Sequence, residues 1–508
     1  MQPWTHENVI LRDADRAVMS PELRTVAARR HDERERWLAV LHSAPMINLS
    51  YPRADTRSQR RLFAAPWFLA QATRLNNDDL VGASEIDTLD RPWLTAYPSF
   101  VASLEDATTF ASLHELDVSL ALHGDLGVLA ACDPRLQRGI AANKARAMGE
   151  FGPWTGLAGT LPPALRERVD AGMSATSLQD WATCPRSHFF GRVLGVRDLE
   201  DRAGGDNIDA RDKGTLVHGV LEKLFRDHLG EPDAPGIEPQ TPWTTDDLAV
   251  AVDLLDADAG ALEARGLTGR NVLWQAQMAQ LRRTLRAILA SDTQLRATRQ
   301  SWPIDVEASF GRHGAEPLLI SLPSQGAVPF SGSIDRIDVT DSGDLIVTDY
   351  KTGRGNGYDA IPEPDKATSD ADLIDRGRKL QLVLYALAAQ SLYDLPEAQV
   401  DAYFWFVEQG ELHRGGVVDD VQVKRLREVL DVVVGGIRGG INPANPGATK
   451  LFPRDTWDAC SYCPYDRVCP STRLEQWRGI RDHPAVRPYA DITDPQDAQS
   501  TMDEEAPA

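Results

Sequence analysis

The sequence predicts an α/β protein whose N-terminal third is mostly helical. Residues 1–172 show helical periodicity, as in HDERERWLAVLHSA (31–44). From residue 302 the pattern changes to short strands of alternating character. A helix at 375–390, a strand at 400–408 and a helix at 421–437 follow. Helices and strands that share one region predict a sheet covered by helices.

Composition narrows the class of protein. The chain has 508 residues, enough for two to four domains, with ordinary hydrophobic (42%) and charged (25%) contents. No apolar run reaches the ~18 residues that span a bilayer. The N-terminus also lacks the basic and apolar regions of a signal peptide. We therefore expect a cytoplasmic protein that does not contact a membrane.

The net charge of −21 excludes a generally basic surface, although a local basic groove for nucleic acid can exist on an acidic body. The arginine-rich segment 281–299 is interpreted as a solvated helix face.

The elements after residue 150 can be assigned in order. A turn-rich stretch at 152–167 is interpreted as a linker. Ser177 is predicted to cap a helix that ends at Thr183, before Pro185. A helix at 215–229 and a long helical region at 245–300 precede the strands, and DSGD (341–344) predicts a tight turn between the last two strands.

Carboxylates on these last two strands are the first candidate site. Alternation places Asp335 on the same face as apolar neighbours, where a carboxylate is costly unless it is paired or binds metal. Asp349 and Lys351 share one face of the next strand, and the turn brings Asp335 close to Asp349. Two carboxylates with a lysine suit Mg²⁺ and hydrolysis of a phosphodiester. The alternative is a surface ion pair of Asp349 with Lys351.

Further polar residues stand near these strands in the chain. His218 lies on the helix at 215–229 and is either structural or a metal ligand. Glu307 is either an ion-pair residue or part of the site. Gln381 and Tyr385 are one helical turn apart and could position a phosphate or a base.

Four cysteines form a second pattern, Cys184 followed by Cys460-x2-Cys463-x5-Cys469. Disulfides are rare in the cytoplasm, and four thiolates suit zinc or an iron–sulfur cluster. The alternative is a small zinc module of the last three cysteines, with Cys184 merely buried. Cys132 is interpreted as a small buried hydrophobic residue.

Several motifs together carry a family resemblance over about residues 174–478. GSIDRIDV and GDLIVTDYKTG resemble motifs II and III of the PD-(D/E)XK nucleases. LVHGVLEKLF resembles the histidine helix of their RecB-like branch, and QLVLYALA resembles its Q-x-x-x-Y motif. SLQDWATCPRSHFFGRVLGV resembles the segment that opens the nuclease domain of AddB and AdnAB-type proteins.

The resemblance implies a restriction-endonuclease-like fold, a mixed central sheet flanked by helices. It implies a nuclease domain at 173–480, preceded by a helical region at 1–172 that resembles the end of a helicase domain and followed by a disordered acidic tail at 481–508. The residue roles it implies are metal ligands (His218, Asp335 and Asp349), a catalytic lysine (Lys351) and two further site residues (Gln381 and Tyr385). The implied cofactors are Mg²⁺ or Mn²⁺ and a structural [4Fe–4S] cluster on Cys184, Cys460, Cys463 and Cys469.

The leading hypothesis is a RecB-like DNA nuclease, an exonuclease or endonuclease of recombination or repair that acts on single-stranded DNA or duplex ends. The sequence has no G-x-x-x-x-G-K-[ST] motif, so the chain is expected either to be a truncated relative of the helicase–nuclease proteins or to depend on a separate helicase subunit. One alternative is an inactive subunit that binds DNA ends or acts as a scaffold in a helicase–nuclease complex. Another is a zinc-stabilised interaction protein.

Overall fold

The computed structural model separates the chain into two compact units, residues 1–140 and 141–508. It describes residues 11–493 except 21, 55–60, 98, 106, 109, 111, 126, 128–130, 132, 172, 198–205, 354, 356, 367–370, 410–412 and 452–455. Cys132 therefore lies outside the described residues, as does the end of the tail. The domain boundary at 172/173 stays a prediction.

The first unit is built from helices. They are α1 (Asp13–Met19), α2 (Val26–Leu41), α3 (Pro66–Leu75), α4 (Phe100–Glu105) and α5 (Leu113–Leu120), and α6 (Pro134–Ala147) continues past residue 140. A small apolar cluster packs around Ala72, Val81 and Ile86, with Tyr51 and Phe68 at its edge. The predicted helical character of this region is confirmed for these segments.

The second unit alternates helices and strands. The helices are α7 (Pro163–Asp170), α8 (Ala175–Thr183), α9 (Pro185–His188), α10 (Ala210–Arg226), α11 (Thr245–Ala264), α12 (Asn271–Arg299), α13 (Gln381–Leu392), α14 (Asp420–Arg438), α15 (Arg473–Ile480) and α16 (Arg487–Thr493). The strands are β1 (Ser301–Phe310), β2 (Leu318–Leu322), β3 (Gly326–Phe330), β4 (Gly332–Thr340), β5 (Leu345–Lys351), β6 (Val400–Phe406), β7 (His413–Val418), β8 (Lys450–Leu451) and β9 (Thr456–Trp457).

The central sheet is mixed, with strand order β1-β4-β5-β6-β7. Only β5 and β6 pair in parallel, because α13 connects them and crosses over the sheet. β1, β4 and β5 form an antiparallel meander, and β7 pairs antiparallel with β6. The strands β2 and β3 form a separate hairpin. The predicted fold class, a mixed sheet flanked by helices, is confirmed.

Helices cover both faces of this sheet. On one face the core contains Trp181 of α8, Leu384 of α13 and Leu430 of α14. On the other face Val220 of α10 and Ile288 of α12 pack with Trp405 of β6. Because helices cover both faces, the residues of β5 and β6 are almost all buried. A polar side chain on one of these strands therefore costs free energy unless it has a hydrogen-bond or ion-pair partner.

Several local expectations need correction. Ser174, rather than Ser177, caps α8, and its hydroxyl accepts from the backbone N–H of Ser177. The helix predicted from residue 375 begins at Gln381, since Arg376 has a left-handed φ of 55° that interrupts it. The strand β7 was not predicted, because its two glycines weaken the strand signal.

The C-terminal tail starts later than predicted. A disordered region from residue 481 is wrong for residues 481–493, since α16 buries Tyr489 against Trp181 and Trp477. The Tyr489 hydroxyl also donates to the carbonyl of Ala182 at 3.1 Å. Aromatic packing thus anchors a segment whose polar sequence suggests a tail.

Among the described residues, no helix is both long enough and apolar enough to cross a bilayer.

Candidate active site

Three carboxylates stand in one row across the meander. The register pairs Val306 with Arg336 and Arg336 with Thr348, which places Glu307, Asp335 and Asp349 at successive positions across β1, β4 and β5. Glu307 has a left-handed φ of 51°, an unusual conformation for a strand residue. Backbone strain of this kind often occurs at functional sites.

The ladder between β4 and β5 ends just before this row. The carboxylate of Asp335, not its backbone, accepts the backbone N–H of Tyr350 at 2.7 Å. This bond fixes the Asp335 side chain in the middle of the row, where it is 12% exposed. Asp349 is more deeply buried, with 3% exposure. The predicted proximity of the two aspartates therefore follows from the strand register.

His218 reaches this row from α10. Its Nε2 donates to the backbone carbonyl of Tyr350 at 3.1 Å, because a carbonyl can only accept. Its Nδ1 lies 3.4 Å from Asp335 and 4.0 Å from Glu307. These three side chains place ligand atoms within 4.8 Å of one another. A neutral Nδ1 carries a lone pair, so this cluster of acceptors is favourable only when a cation or a proton lies among them.

The electrostatics of the row show the same excess of negative charge. Burial raises the pKa of Asp349 to about 6, opposed by Lys351 and reinforced by Asp335. Burial, followed by the charge of Asp335, raises the pKa of Glu307. Burial lowers the pKa of His218, but hydrogen bonding and charge from Asp335 outweigh it and raise the pKa overall. Each of these pKa shifts has the direction expected for a site that lacks positive charge.

Lys351 and Gln381 complete the site around Asp349. The Lys351 ammonium forms an ion pair with Asp349 and donates to Oε1 of Gln381 at 3.1 Å. The Nε2 of Gln381 donates to Asp349 at 2.8 Å. Burial lowers the pKa of Lys351, but Asp349 outweighs that effect and raises it, so the lysine stays charged. Gln381 therefore holds the lysine and the aspartate in one fixed geometry.

Tyr385 lies one turn along the same helix and is 6% exposed. Its ring packs edge-on against Phe310, with the centroids 6.0 Å apart. Burial, then the charge of Asp349, raises the pKa of its hydroxyl to about 12, so the group stays neutral. The structure thus brings together all the residues that the sequence predicts for this site, and their roles stay predictions.

The donor set fits a divalent cation with oxygen and imidazole ligands. Asp335 and Glu307 offer carboxylate oxygens and His218 offers a ring nitrogen within 4.8 Å of one another, and Asp349 presents a further carboxylate at the next position of the row. Mg²⁺ and Mn²⁺ suit sites of this composition. The surface ion pair that was the alternative for Asp349 does not fit its burial.

Sequence analysis missed two residues beside this site. The Lys379 ammonium lies 3.6 Å from the centre of the Tyr358 ring, which itself packs against Phe404. Burial lowers the pKa of Lys379 to about 8. Burial raises the pKa of Tyr358, while Lys351 lowers it. A lone lysine and a loop tyrosine carry no pattern that could have revealed them.

A buried ion network lies behind the row. Arg336, 1% exposed, donates to Asp292 at 2.5 Å and to Asp338 at 2.6 Å. Arg296 donates to the other oxygen of Asp292 at 2.8 Å. Since Arg336 directly follows Asp335 in β4, this network fixes the strand that carries Asp335 to α12.

The four cysteines form a separate site in the second unit. Cys184, Cys460, Cys463 and Cys469 line one cavity, together with Arg186 and Arg473. Burial raises the pKa of Cys184 and Cys469 and, to about 11, that of Cys460.

Comparisons with known proteins agree with this geometry. The model of the PD-(D/E)XK nuclease superfamily matches residues 172–470, more than half of the chain. An ATP-dependent helicase/deoxyribonuclease subunit of Symbiobacterium thermophilum is 30% identical over 282 residues, which cover 52% of this chain and 22% of that protein. The corresponding subunits of Alkaliphilus oremlandii (25% identical; 51% and 21% covered) and Acetivibrio thermocellus (23% identical; 38% and 17% covered) are also similar. The match thus spans about a fifth of each relative.

Proposed function

The chain belongs to the PD-(D/E)XK nuclease superfamily, and from that premise we propose that it is a metal-dependent deoxyribonuclease of the RecB-like branch, most simply an exonuclease of DNA recombination or repair. The observation that carries the proposal is the row of Glu307, Asp335 and Asp349, with Lys351 held beside it. The names of the relatives support DNA as the substrate.

In this proposal His218, Asp335 and Asp349 hold a Mg²⁺ or Mn²⁺ ion. The ligand atoms of His218, Asp335 and Glu307 lie within 4.8 Å of one another, so Glu307 would assist, and Asp349 occupies the next position of the row. The ion would supply activated water and charge stabilisation for in-line hydrolysis of a phosphodiester. Lys351 orients the attacking water and offsets the negative charge that develops on the phosphate. Gln381 keeps that lysine aligned with Asp349, and Tyr385 supports Gln381 from the next turn of the helix.

The rival function is an inactive subunit that only binds DNA ends or acts as a scaffold. The burial of Asp349 favours an enzyme. A carboxylate that is 3% exposed, with a pKa raised to about 6, costs stability in a protein that does not use it. A scaffold could replace Asp349 and its partner Lys351 together by apolar residues without losing its function.

A nuclease assay separates the two functions. The wild type should degrade labelled single-stranded DNA or duplex ends only with Mg²⁺ or Mn²⁺, and Asp349→Ala and Lys351→Ala should abolish degradation. Asp359→Ala, which removes a side chain that is 83% exposed, is the matched control and should keep full activity. Full activity in both site variants would refute the proposal. DNA binding without cleavage by the wild type would favour the scaffold.

We further propose that Cys184, Cys460, Cys463 and Cys469 hold a structural [4Fe–4S] cluster. The support is that Cys184 lines the same cavity as the three C-terminal cysteines, so four thiols from two distant segments of the chain face one site. Cys184 lies at the end of α8 and the other three lie after β9, so a cluster here would tie together the two ends of the domain. Anaerobic purification with iron, sulfide and zinc analysis tests this, and colourless protein with stoichiometric zinc would refute it.

The names of the relatives also describe subunits of helicase enzymes. We therefore propose a separate helicase subunit as a partner. Co-purification of the tagged chain from its own cells, followed by mass spectrometry, tests for such a partner.

A further inference from the structure

Within the part of the chain that the structure describes, the ammonium of Lys379 has no carboxylate in contact with it. Among the described residues, no carboxylate lies within ion-pair distance of its Nζ and no acceptor forms a hydrogen bond with it. Its ordered contact is the face of the Tyr358 ring, 3.6 Å away. The side chain is half-buried, and burial lowers its pKa to about 8, an effect that the charge of Asp375 only partly opposes. Such an ammonium gives up hydration without a bonded ionic partner in return.

A chain of contacts connects this cation to the site. The Nζ of Lys351 lies 5.2 Å from the centre of the Phe404 ring. The rings of Phe404 and Tyr358 meet edge-on at 5.0 Å, and Lys379 lies over the second ring. The charges of Lys351 and Asp349 both act on Lys379. The two ammoniums thus flank one aromatic pair on the same side of the molecule.

The ammoniums of Lys351 and Lys379 differ in the polar groups that they contact. Lys351 is occupied by Asp349 and Gln381, so its charge is already balanced. Lys379 keeps its three donors for a ligand, and a compact ammonium with free donors binds phosphate well. It also lies two residues before Gln381, the first residue of α13, so its backbone is fixed relative to the site.

We propose that Lys379, supported by Tyr358, binds a backbone phosphate of the DNA strand next to the phosphate that is cut. The inference rests on the proposed nuclease function and adds a substrate-positioning contact to it. The contact is independent of base sequence, because it recognises only the phosphate. It would hold the strand in register while the metal-binding row acts on the neighbouring bond.

The test is DNA binding as a function of salt, with the full chain, a fluorescent single-stranded oligonucleotide and Ca²⁺ in place of Mg²⁺. Lys379→Met keeps a long apolar stem over Tyr358 but removes the charge. The plot of log K against log salt has a negative slope. Loss of one phosphate contact should make that slope less steep by about 0.7. The affinity advantage of the wild type should therefore shrink about 2.6-fold between ~50 and ~200 mM salt.

Matched variants keep the result interpretable. Lys366→Met removes a charge from the same β5–α13 segment, but Lys366 is 72% exposed and already paired with Glu363, so it should behave as wild type. Lys379→Arg should restore both affinity and salt slope. In Mg²⁺ assays Lys379→Met should raise KM several-fold and change kcat little, a split that a merely structural role would not produce. Melting curves check that each variant folds, and Lys379→Gln replaces Lys379→Met if the latter does not.

The outcomes separate the two proposals. If the wild type cuts DNA and Lys379→Met has the affinity, salt slope and KM of Lys366→Met, the inference about Lys379 is wrong and the nuclease proposal stands. If the wild type neither binds nor cuts DNA, the nuclease proposal fails and the inference fails with it.

Discussion

Gln381 gives the sharpest test of how the candidate site is organised. Its amide donates to Asp349 at 2.8 Å and accepts from Lys351 at 3.1 Å. Replacement by methionine keeps the length and the apolar stem but removes both bonds. Because the direct ion pair of Lys351 with Asp349 remains, the variant should keep its charges and lose their alignment.

The magnitude follows from these two contacts. A hydrogen bond to a charged group contributes about 1.5–3 kcal/mol. If the variant loses the equivalent of one such bond in the transition state, kcat/KM should fall about 10- to 150-fold, since each 1.36 kcal/mol corresponds to about tenfold. That is a smaller loss than the abolition expected for Lys351→Ala.

The assay measures the initial rate of Mg²⁺-dependent release of nucleotides from labelled single-stranded DNA. Gln390→Met is the matched control, because Gln390 lies on the same helix and bonds only backbone carbonyls, of Ala398 at 2.8 Å and of Pro396. It should lower stability slightly and leave kcat/KM unchanged. A Gln381→Met variant that folds and has the kcat/KM of the wild type would refute the alignment role.

Three further predictions concern stability and the cysteine site. Arg336→Met leaves Asp292 and Asp338 buried without their shared arginine, so urea denaturation should show a loss of about 3–5 kcal/mol in the free energy of unfolding, and a loss below about 1 kcal/mol would contradict it. Burial lowers the pKa of His188 to about 4, so the unfolded chain takes up a proton first as the pH falls below about 6.5. The wild type should therefore lose about 1.6 kcal/mol more than His188→Gln between pH ~6.5 and pH ~5, and equal losses in chemical denaturation would refute this. Cys184→Ser should lower both the iron content and the melting temperature of anaerobically purified protein, whereas Cys132→Ser should retain the iron; equal iron in both variants would exclude Cys184 as a ligand.

Much of the site could be predicted because strand geometry is regular. Two-residue alternation and a tight turn at 341–344 suffice to place Asp335 beside Asp349, and the register agrees. Helical spacing likewise places Gln381 and Tyr385 on one face. The position of Glu307 could not be decided, since a strand sequence does not reveal which strand it pairs with.

Other features depended on contacts between distant segments. Sequence alone offered no reason for Tyr489 to be buried, because its partners Trp181 and Ala182 lie some 300 residues away in the chain. The helix at 381 starts late because the backbone of Arg376 turns left-handed, a local choice that its sequence does not specify.

By itself, the sequence determined the fold class, the proximity of Asp335 to Asp349 and the set of four cysteines, because each depends on short-range periodicity or on residue types with few other uses. Only the tertiary structure decided that Gln381 bonds both Asp349 and Lys351, that the four cysteines line one cavity, and that Lys379 lies over Tyr358 without an ion-paired carboxylate among the described residues. These facts are distances between side chains on different elements. Such distances are set by the packing of helices on the sheet, which no single segment of the chain encodes.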